Sequence, residues 1–307
     1  MQALLSAPPP ALWLAGMDAD GVRAVQKAEA EAAPALAREV WEKLGVTVEP
    51  VKTAGVSCYR ITPADVPSER ANRLLVHTHG GAYVINGGEM ASVEGSWIAW
   101  ATRTPVLSID YRRPPDFPFP AAVDDAIAVW TEVMQDRESA NTGLFGTSAG
   151  GGLAMATVLK AEALGLNLPG ALSLSTPWAD LTSASDSCVT NEMVDNAIVS
   201  CEHTLGDAAA AYANGADMTN PLISPVYGDL SGFPPTILFT GTRDLFLSNT
   251  VRVHRRLRQA GIAADLQVFE ALPHAAWSPW ANPNGMAPET EDYLREIDAF
   301  FDRVLEE

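Results

Sequence analysis

The chain has 307 residues, with 20 lysines and arginines against 38 aspartates and glutamates, so its formal net charge is −18. This balance disfavours nucleic acid and anionic membrane surfaces as partners, because both bind through concentrated basic side chains. Hydrophobic residues make up 47% and charged residues 19%, which argues against disorder and predicts one or two domains with a large core. No stretch approaches the roughly 20 apolar residues of a membrane-spanning helix.

The three cysteines, Cys58, Cys188 and Cys201, are too few for a disulfide framework and show no Cys-x-x-Cys spacing. An odd, sparse count fits a reducing compartment. The N-terminus lacks the basic start and the unbroken apolar run of a signal peptide. These features predict a cytoplasmic protein.

In chain order, the predicted elements begin with a helical segment over residues 18–45, interrupted near Pro34. After residue 50, short β-rich runs alternate with helical ones. The predicted strands are 57–61, 73–78, 105–110, 143–146, 171–175, 236–240 and 265–269. The predicted helices are 93–103, 121–135, 149–164, 249–260 and 289–305. Because parallel strands need long crossover connections, this alternation predicts an α/β fold with a mostly parallel sheet and helices on both faces.

Residues 180–220 interrupt this alternation, since they contain no clear strand and only weak helical patches. A 40-residue insertion in such a fold is usually a lid or another functional excursion. Together with residues 1–45 it is predicted to form a separate helical layer. The alternative is an ordinary surface excursion.

Residues 146–150 form the only Gly-x-Ser-x-Gly segment of the chain, Gly-Thr-Ser-Ala-Gly. The segment lies between the end of a predicted strand and the start of a predicted helix. A serine at such a sharp turn is lifted above the sheet edge, where the helix N-terminus favours developing negative charge. Ser148 is therefore the predicted nucleophile. The alternative is a glycine-rich turn that only packs a helix on a strand.

Residues 79–83, His-Gly-Gly-Ala-Tyr, follow another predicted strand. Acyl transfer needs backbone N–H groups aimed at the tetrahedral oxyanion, and a glycine-rich loop can supply them. Gly81 and Ala82 are the predicted donors, with the N–H of Ala149 as the third. His77 and His79, two residues apart, also invite a metal reading, but no cluster of acids or cysteines nearby completes such a site, so no metal is predicted. His79 is expected to hydrogen-bond the loop.

A serine hydroxyl needs a base to take its proton and an acid to orient that base. Among the five histidines, His274 follows a predicted strand closely, where open α/β sheets place their chemistry. Asp244 lies directly after the strand 236–240. The order Ser148, Asp244, His274 is that of the α/β-hydrolases. Taken alone, each residue has an alternative as a satisfied polar loop residue.

From about residue 70 to 305, the chain resembles the bacterial hormone-sensitive-lipase-like esterases of the α/β-hydrolase superfamily, in the subgroup with Gly-Thr-Ser-Ala-Gly at the nucleophile. The segments that carry the resemblance are 79–83, 110–112 (Asp-Tyr-Arg), 119–125, 146–151, 177–182 (Pro-Trp-Ala-Asp-Leu-Thr) and 220–225 (Asn-Pro-Leu-Ile-Ser-Pro).

The resemblance implies an α/β-hydrolase fold in which residues 46–180 and 221–307 form the catalytic domain. Residues 1–45 and 181–220 would then form a helical cap. It also implies hydrolysis of carboxylic esters, usually with short acyl chains, and no cofactor. Because family members often dimerise, a homodimer is a further expectation.

Two departures from the family pattern affect the expected site. Ala82 replaces the usual third glycine, which makes esters of tertiary alcohols doubtful substrates. Arg243, Leu245 and Phe246 surround the acid in place of the commoner Asp-Pro-Leu sequence.

Aromatic residues near the site are predicted to wall the pocket, with the core as their alternative place. They are Tyr83, Trp178, Trp277 and Trp280, joined by Trp13 and Met17 from the cap.

Two rival functions use the same fold. An amidase, peptidase or carbamate hydrolase would share the triad. A small-molecule receptor would lack part of it, and the presence of all three residues argues against a receptor. A dehydrogenase is disfavoured because the chain has no Gly-x-Gly-x-x-Gly and no phosphate-binding loop.

Overall fold

The structure is a computed structural model that describes residues 16–279 and 286–306. Within them, eight strands form one sheet in the order β1-β2-β4-β3-β5-β6-β7-β8. β2 runs antiparallel to both β1 and β4, and all the other neighbours are parallel. The strands are β1 (Thr47–Thr53), β2 (Val56–Thr62), β3 (Leu74–Thr78), β4 (Val106–Ile109), β5 (Thr142–Thr147), β6 (Ala171–Ser175), β7 (Thr236–Gly241) and β8 (Ala264–Phe269). The predicted α/β-hydrolase architecture is confirmed.

Helices cover both faces of this sheet. They are α1 (Ala19–Leu44), α2 (Ala91–Thr102), α3 (Ala121–Val133), α4 (Ala149–Ala163), α5 (Ser187–Thr190), α6 (Thr204–Ala213), α7 (Leu247–Gln259) and α8 (Pro288–Val304). Successive strand residues point to opposite faces, so Leu144 packs into one hydrophobic cluster with Leu153 of α4. Phe145 packs into the other, with Trp97 of α2 and Phe301 of α8. The central strands β5, β6 and β7 are thereby buried on both faces, so the loops at their C-terminal ends start from fixed positions.

One prediction about the N-terminal region is wrong, and one strand there was not predicted. α1 continues through Pro34, because a proline removes only one helical hydrogen bond and the buried Ala33 and Ala37 hold both halves against the protein. β1 was not predicted at all. It is a largely exposed edge strand that contains Pro50, and proline is tolerated at a sheet edge.

The insertion contains α5 and α6 and, in the part of the chain described, no strand. A disulfide joins Cys188 to Cys201 within it, while Cys58 is buried and free. The number of cysteines excluded only a framework of several disulfides, and this single pair was not predicted. The two cysteines meet because the insertion folds back on itself. Disulfides are typical of oxidising compartments, so the cysteines no longer support the prediction of a reducing one.

None of the helices within 16–279 and 286–306 is long and apolar enough to cross a membrane.

Candidate active site

Ser148 lies between the end of β5 and the start of α4, with φ 59° and ψ −124°. A positive φ with this ψ is rare for a residue with a Cβ and marks a strained turn. The turn closes only because its flanks are glycines. A Cβ on Gly146 would lie 2.5 Å from the carbonyl oxygen of Gly150, and one on Gly150 would overlap the carbonyl oxygen of Thr78. The Gly-x-Ser-x-Gly segment is therefore a sterically required turn that presents its serine at the sheet edge.

Asp244 and His274 follow β7 and β8 and meet at the same edge, where His274 Nδ1 lies 3.0 Å from Asp244 Oδ1. Asp244 is completely buried. Its Oδ1 also accepts from the N–H of Phe246 at 2.8 Å, and its Oδ2 accepts from the hydroxyls of Thr240, at 2.9 Å, and Thr176. Several donors thus hold the carboxylate in one orientation toward the imidazole.

Opposite charges govern the ionisation of this pair. Burial disfavours the ionised forms of both side chains. For Asp244, the imidazole and the surrounding hydroxyl and amide donors outweigh the effect of burial, so the pKa of Asp244 is lowered. For His274, burial is likewise outweighed, by the charge and hydrogen bond of Asp244 and by the charge of Asp195, so its pKa is raised above the ordinary value. His274 is therefore a stronger base than a free imidazole.

Ser148 and His274 lie on the wall of one cavity of about 610 Å³. The remaining wall comes from the glycine loop, from α1 and α2, and from the insertion, and most of its side chains are apolar. The lining residues from α1 and the insertion are Leu36, Glu39, Val40, Lys43, Ala197, Ile198, Thr204 and Leu205. The side chains of Ser148 and His274 are thus accessible from the same cavity.

The glycine loop lies beside Ser148, because a Cβ on Gly80 would be 3.5 Å from the Cβ of Ser148, and Gly80, Gly81 and Ala82 form part of the cavity wall. Gly81 has φ 108°, and a Cβ there would lie 2.6 Å from the carbonyl oxygen of Ile85, so the position requires glycine. Among the residues described, no acceptor pairs with the N–H groups of Gly81 and Ala82. They are therefore available to a ligand oxygen. Ala149, the third predicted donor, lies buried at the first position of α4.

His79 fixes the shape of this loop. Its Nδ1 lies 2.7 Å from the carbonyl oxygen of Gly80, and its ring stacks on Tyr111 at 4.0 Å. Burial, with the nearby charge of Arg113, lowers its pKa well below the ordinary value, so the ring is neutral and Nδ1–H donates to Gly80. His77 is engaged elsewhere, with its Nδ1 2.7 Å from Ser108 Oγ. The Nδ1 atoms of the two histidines therefore have separate partners.

Three of the aromatic residues predicted to wall the pocket, Tyr83, Trp178 and Trp277, are core residues in the structure. Tyr83 stacks on Tyr212 at 3.8 Å, Trp178 packs on Phe246, and Trp277 is fully buried. None of these three belongs to the cavity wall, because each ring completes packing beneath the loops that carry the site. Trp13 and Trp280 lie outside the described residues. Met17 is exposed.

Two polar residues beside the acid–histidine pair were not predicted. Thr176, directly after β6, touches both Asp244 and His274. Asp195, in the insertion, is fully buried, and its carboxylate lies within 4.8 Å of the side-chain ligand atoms of both Asp244 and His274. No spacing or periodicity in the sequence could have shown either role, because both depend on hydrogen bonds between distant loops.

The strained serine turn, the buried acid–histidine pair and the free loop amides around one cavity define a hydrolase of the α/β type. A family model described as the alpha/beta hydrolase fold matches residues 75–278. An acetyl-hydrolase from Streptomyces hygroscopicus is 33% identical over 269 residues, which cover 86% of each chain. An esterase from Acinetobacter venetianus is 26% identical over 256 residues, 83% of this chain and 82% of that protein.

Solved structures agree. The crystal structure of an esterase called E25 superposes with a TM-score of 0.92 at 41% identity, covering 99% of this chain and 93% of that one. An esterase from the bacterial hormone-sensitive lipase family superposes with a TM-score of 0.78 at 29% identity, covering 94% and 99%. The chain belongs to the α/β-hydrolase family and, within it, to the bacterial hormone-sensitive-lipase-like esterases.

Proposed function

We propose that this protein is a serine carboxylesterase that hydrolyses esters of short carboxylic acids through Ser148, His274 and Asp244. The observation that carries the proposal is the arrangement around one cavity. Ser148 and His274 share its wall, Asp244 holds the imidazole from the buried side, and the glycine loop lies beside Ser148. Family membership supports the class of reaction.

In the first half-reaction, His274 Nε2 takes the proton of the Ser148 hydroxyl as its oxygen attacks the ester carbonyl carbon. The C–O bond of the tetrahedral intermediate then breaks, and the imidazolium gives its proton to the departing alkoxide, which leaves as the alcohol. In the second half-reaction, water loses a proton to the same imidazole and attacks the acyl-enzyme. Collapse of that intermediate returns the proton to Ser148 and releases the acid.

The negative oxygen of both intermediates is stabilised by the N–H groups of Gly81, Ala82 and Ala149. Each such donor contributes about 3 kcal/mol to lowering the barrier, judged from the loss of one donor in other hydrolases. The methyl group of Ala82 narrows the space beside this site, which disfavours esters of tertiary alcohols.

The preference for short acyl groups rests on two observations. The matching proteins include an acetyl-hydrolase and, at 28% identity, an ethyl acetate hydrolase from Pseudomonas putida. Residues of α1 and of the insertion also line the cavity and limit the space for an acyl group. We assign them to a cap formed by residues 1–45 and 181–220 over the catalytic parts 46–180 and 221–307.

The test is hydrolysis of p-nitrophenyl acetate by the wild type and by Ser148→Ala. We expect turnover to fall to the background rate while circular dichroism and the melting temperature show a folded protein. A sulfonyl fluoride should label the wild type at one site, located by peptide mass spectrometry at Ser148. Ser68→Ala, on the exposed surface, serves as the matched control and should keep full activity. Turnover by a folded Ser148→Ala protein would reject the assignment.

A further inference from the structure

We propose that Asp195 is a positioning residue for His274: from the insertion, it holds the loops of both the base and the acid and places a second negative charge beside the imidazole. This inference rests on the proposed function, because it gives His274 the role of the base. It makes the insertion part of the catalytic apparatus rather than only a cover over it.

The carboxylate of Asp195 accepts four backbone N–H groups. Its Oδ2 receives the amide of Leu245 at 2.9 Å and the amide of His274 itself at 3.2 Å. Its Oδ1 receives the amides of Ala197 at 2.8 Å and Ile198 at 3.2 Å. One side chain therefore ties the residue after the acid to the base, from a segment more than 40 positions away from either.

No lysine or arginine among the described residues pairs with Asp195, whose charge is stabilised by backbone N–H groups and by His274. The side chains of Asp195 and Asp244 are fully buried, and both lie beside His274 in one cluster. Of the charged groups described, these two carboxylates are the ones that act on the imidazole. Burial and the charge of Asp244 raise the pKa of Asp195, whereas His274 and the amide donors favour its ionised form. Protonation of His274 thus relieves the repulsion between two anions.

The same three side chains are the type of cluster that binds a metal ion, but their donors argue for another role. Both oxygens of Asp195 already accept two N–H groups each, and those of Asp244 accept hydroxyl and amide donors. A cation would have to approach oxygens that are surrounded by hydrogen-bond donors. The arrangement is suited to holding anions and a protonated imidazole.

The segment that carries Asp195 also lines the cavity. Ala197 and Ile198, whose amides bind Asp195, form part of the cavity wall. Asn191 donates from Nδ2 to the carbonyl oxygen of Asp244 at 2.9 Å, which ties the insertion to the acid loop at a second point. A substrate group in contact with Ile198 would therefore act on the position of His274 through the hydrogen bonds of Asp195 to the amides of both residues.

The test is the pH dependence of kcat/KM for p-nitrophenyl acetate in Asp195→Asn. Loss of the negative charge destabilises the imidazolium, so the acid limb should move to lower pH by at least ~0.5 unit. The NH₂ group of the introduced asparagine cannot accept the backbone N–H groups that the carboxylate binds. The loops of the acid and the base are then held less firmly, so kcat should fall ~10- to 100-fold, with little change in KM.

Two further variants separate charge from structure. Asn191→Ala removes a tether but no charge, so it should lower kcat and leave the acid limb in place. Asp180→Asn is a matched loss of a buried carboxylate at the start of the insertion, where Asp180 pairs with Arg252 at 2.5 Å. It should lower the melting temperature without moving the acid limb.

If Asp195→Asn does not fold, Asp195→Glu is measured instead. It keeps the charge at a displaced position and should lower kcat with an unshifted acid limb.

A wild-type limb in folded Asp195→Asn, or a wild-type kcat in Asp195→Glu, would overturn this inference. Ser148→Ala is measured in the same assay. Turnover that survives Ser148→Ala rejects the proposed esterase mechanism, whereas a wild-type profile in the Asp195 variants rejects only the role of Asp195.

Discussion

At the scale of single residues, Thr176 links the acid to the base. Its hydroxyl donates to Asp244 Oδ2 and lies 3.0 Å from His274 Nδ1. The backbone there has φ 42°, so the strand end is bent to bring the hydroxyl into the cluster. Because the hydroxyl has one proton and gives it to Asp244, Thr176 supports the carboxylate that orients His274.

We therefore predict that Thr176→Val lowers kcat about 10-fold, the effect of losing one hydrogen bond to a buried charge worth ~1.5 kcal/mol. Valine keeps the shape and branching of threonine, so the fold should be retained. Thr176→Ser keeps the hydroxyl and is the matched control, with activity close to wild type. Steady-state kinetics on p-nitrophenyl acetate measure both variants. Equal activity of the valine and serine variants would show that the hydroxyl is not needed.

The pH profile of the wild type should reflect the raised pKa of His274. The proposed base must be neutral to accept the proton of Ser148, so activity is lost as the pH falls through the pKa of His274. Since Asp244 and Asp195 raise that pKa, the acid limb of kcat/KM should lie above the ~6.5 of free histidine. Asp244→Asn should move the limb to lower pH and reduce kcat up to ~10⁴-fold, because the imidazole loses its orienting partner. A wild-type limb below 6.5 would contradict the electrostatic account.

The residues that the sequence identified and those that it missed differ in one physical respect. Ser148, Asp244 and His274 each follow a strand, so hydrophobic runs place them at a common sheet edge. Thr176 also follows a strand, but a lone threonine has no distinctive neighbours. Asp195 belongs to an irregular segment, where no periodicity relates sequence to position. Their roles arise only from contacts across the fold.

At the scale of elements, the buried strands were predicted to within one or two residues, because continuous apolar runs flanked by turns leave few alternatives. β6, for example, begins and ends as expected at Ala171–Ser175. The exposed edge strand β1 was missed because half of its residues face water and its pattern is that of a loop. The pairing of Cys188 with Cys201 was missed because both lie in the irregular insertion, where no periodicity relates sequence to position.

That disulfide closes the segment from which Asn191 and Asp195 reach the acid and base loops. In the chain-entropy view, closing a loop of this size stabilises the fold by ~3 kcal/mol. We predict that dithiothreitol lowers both the melting temperature and kcat of the wild type. A Cys188→Ser, Cys201→Ser double variant should start at the reduced values and not respond to reductant, although buried Cys58 remains. A wild type whose kcat is the same with and without reductant would show that the closed loop does not support the site.

At the scale of the whole molecule, the parallel order of the sheet assembles the site. β5, β6, β7 and β8 are neighbours, and each is followed by one polar member: Ser148, Thr176, Asp244 and His274, respectively. Four separate segments of sequence thus meet without a long loop. The insertion lines the cavity beside them, and through Asp195 it also binds the backbone amide of His274.

The net charge of −18 acts on the molecule as a whole. Repulsion among surface carboxylates opposes the compact state, and salt shortens its range to a Debye length of about 10 Å at 0.1 M. Exposed ion pairs also weaken in salt, but each contributes only ~0–1 kcal/mol. We therefore expect sodium chloride between 10 mM and 0.5 M to raise the melting temperature at pH 8 by about 2 °C per kcal/mol of repulsion removed. Near the isoelectric point of about 4.6 the net charge vanishes, so the same salt series should have little effect there. A melting temperature that falls with salt at pH 8 would show that ion pairs, rather than net repulsion, dominate the electrostatics of this fold.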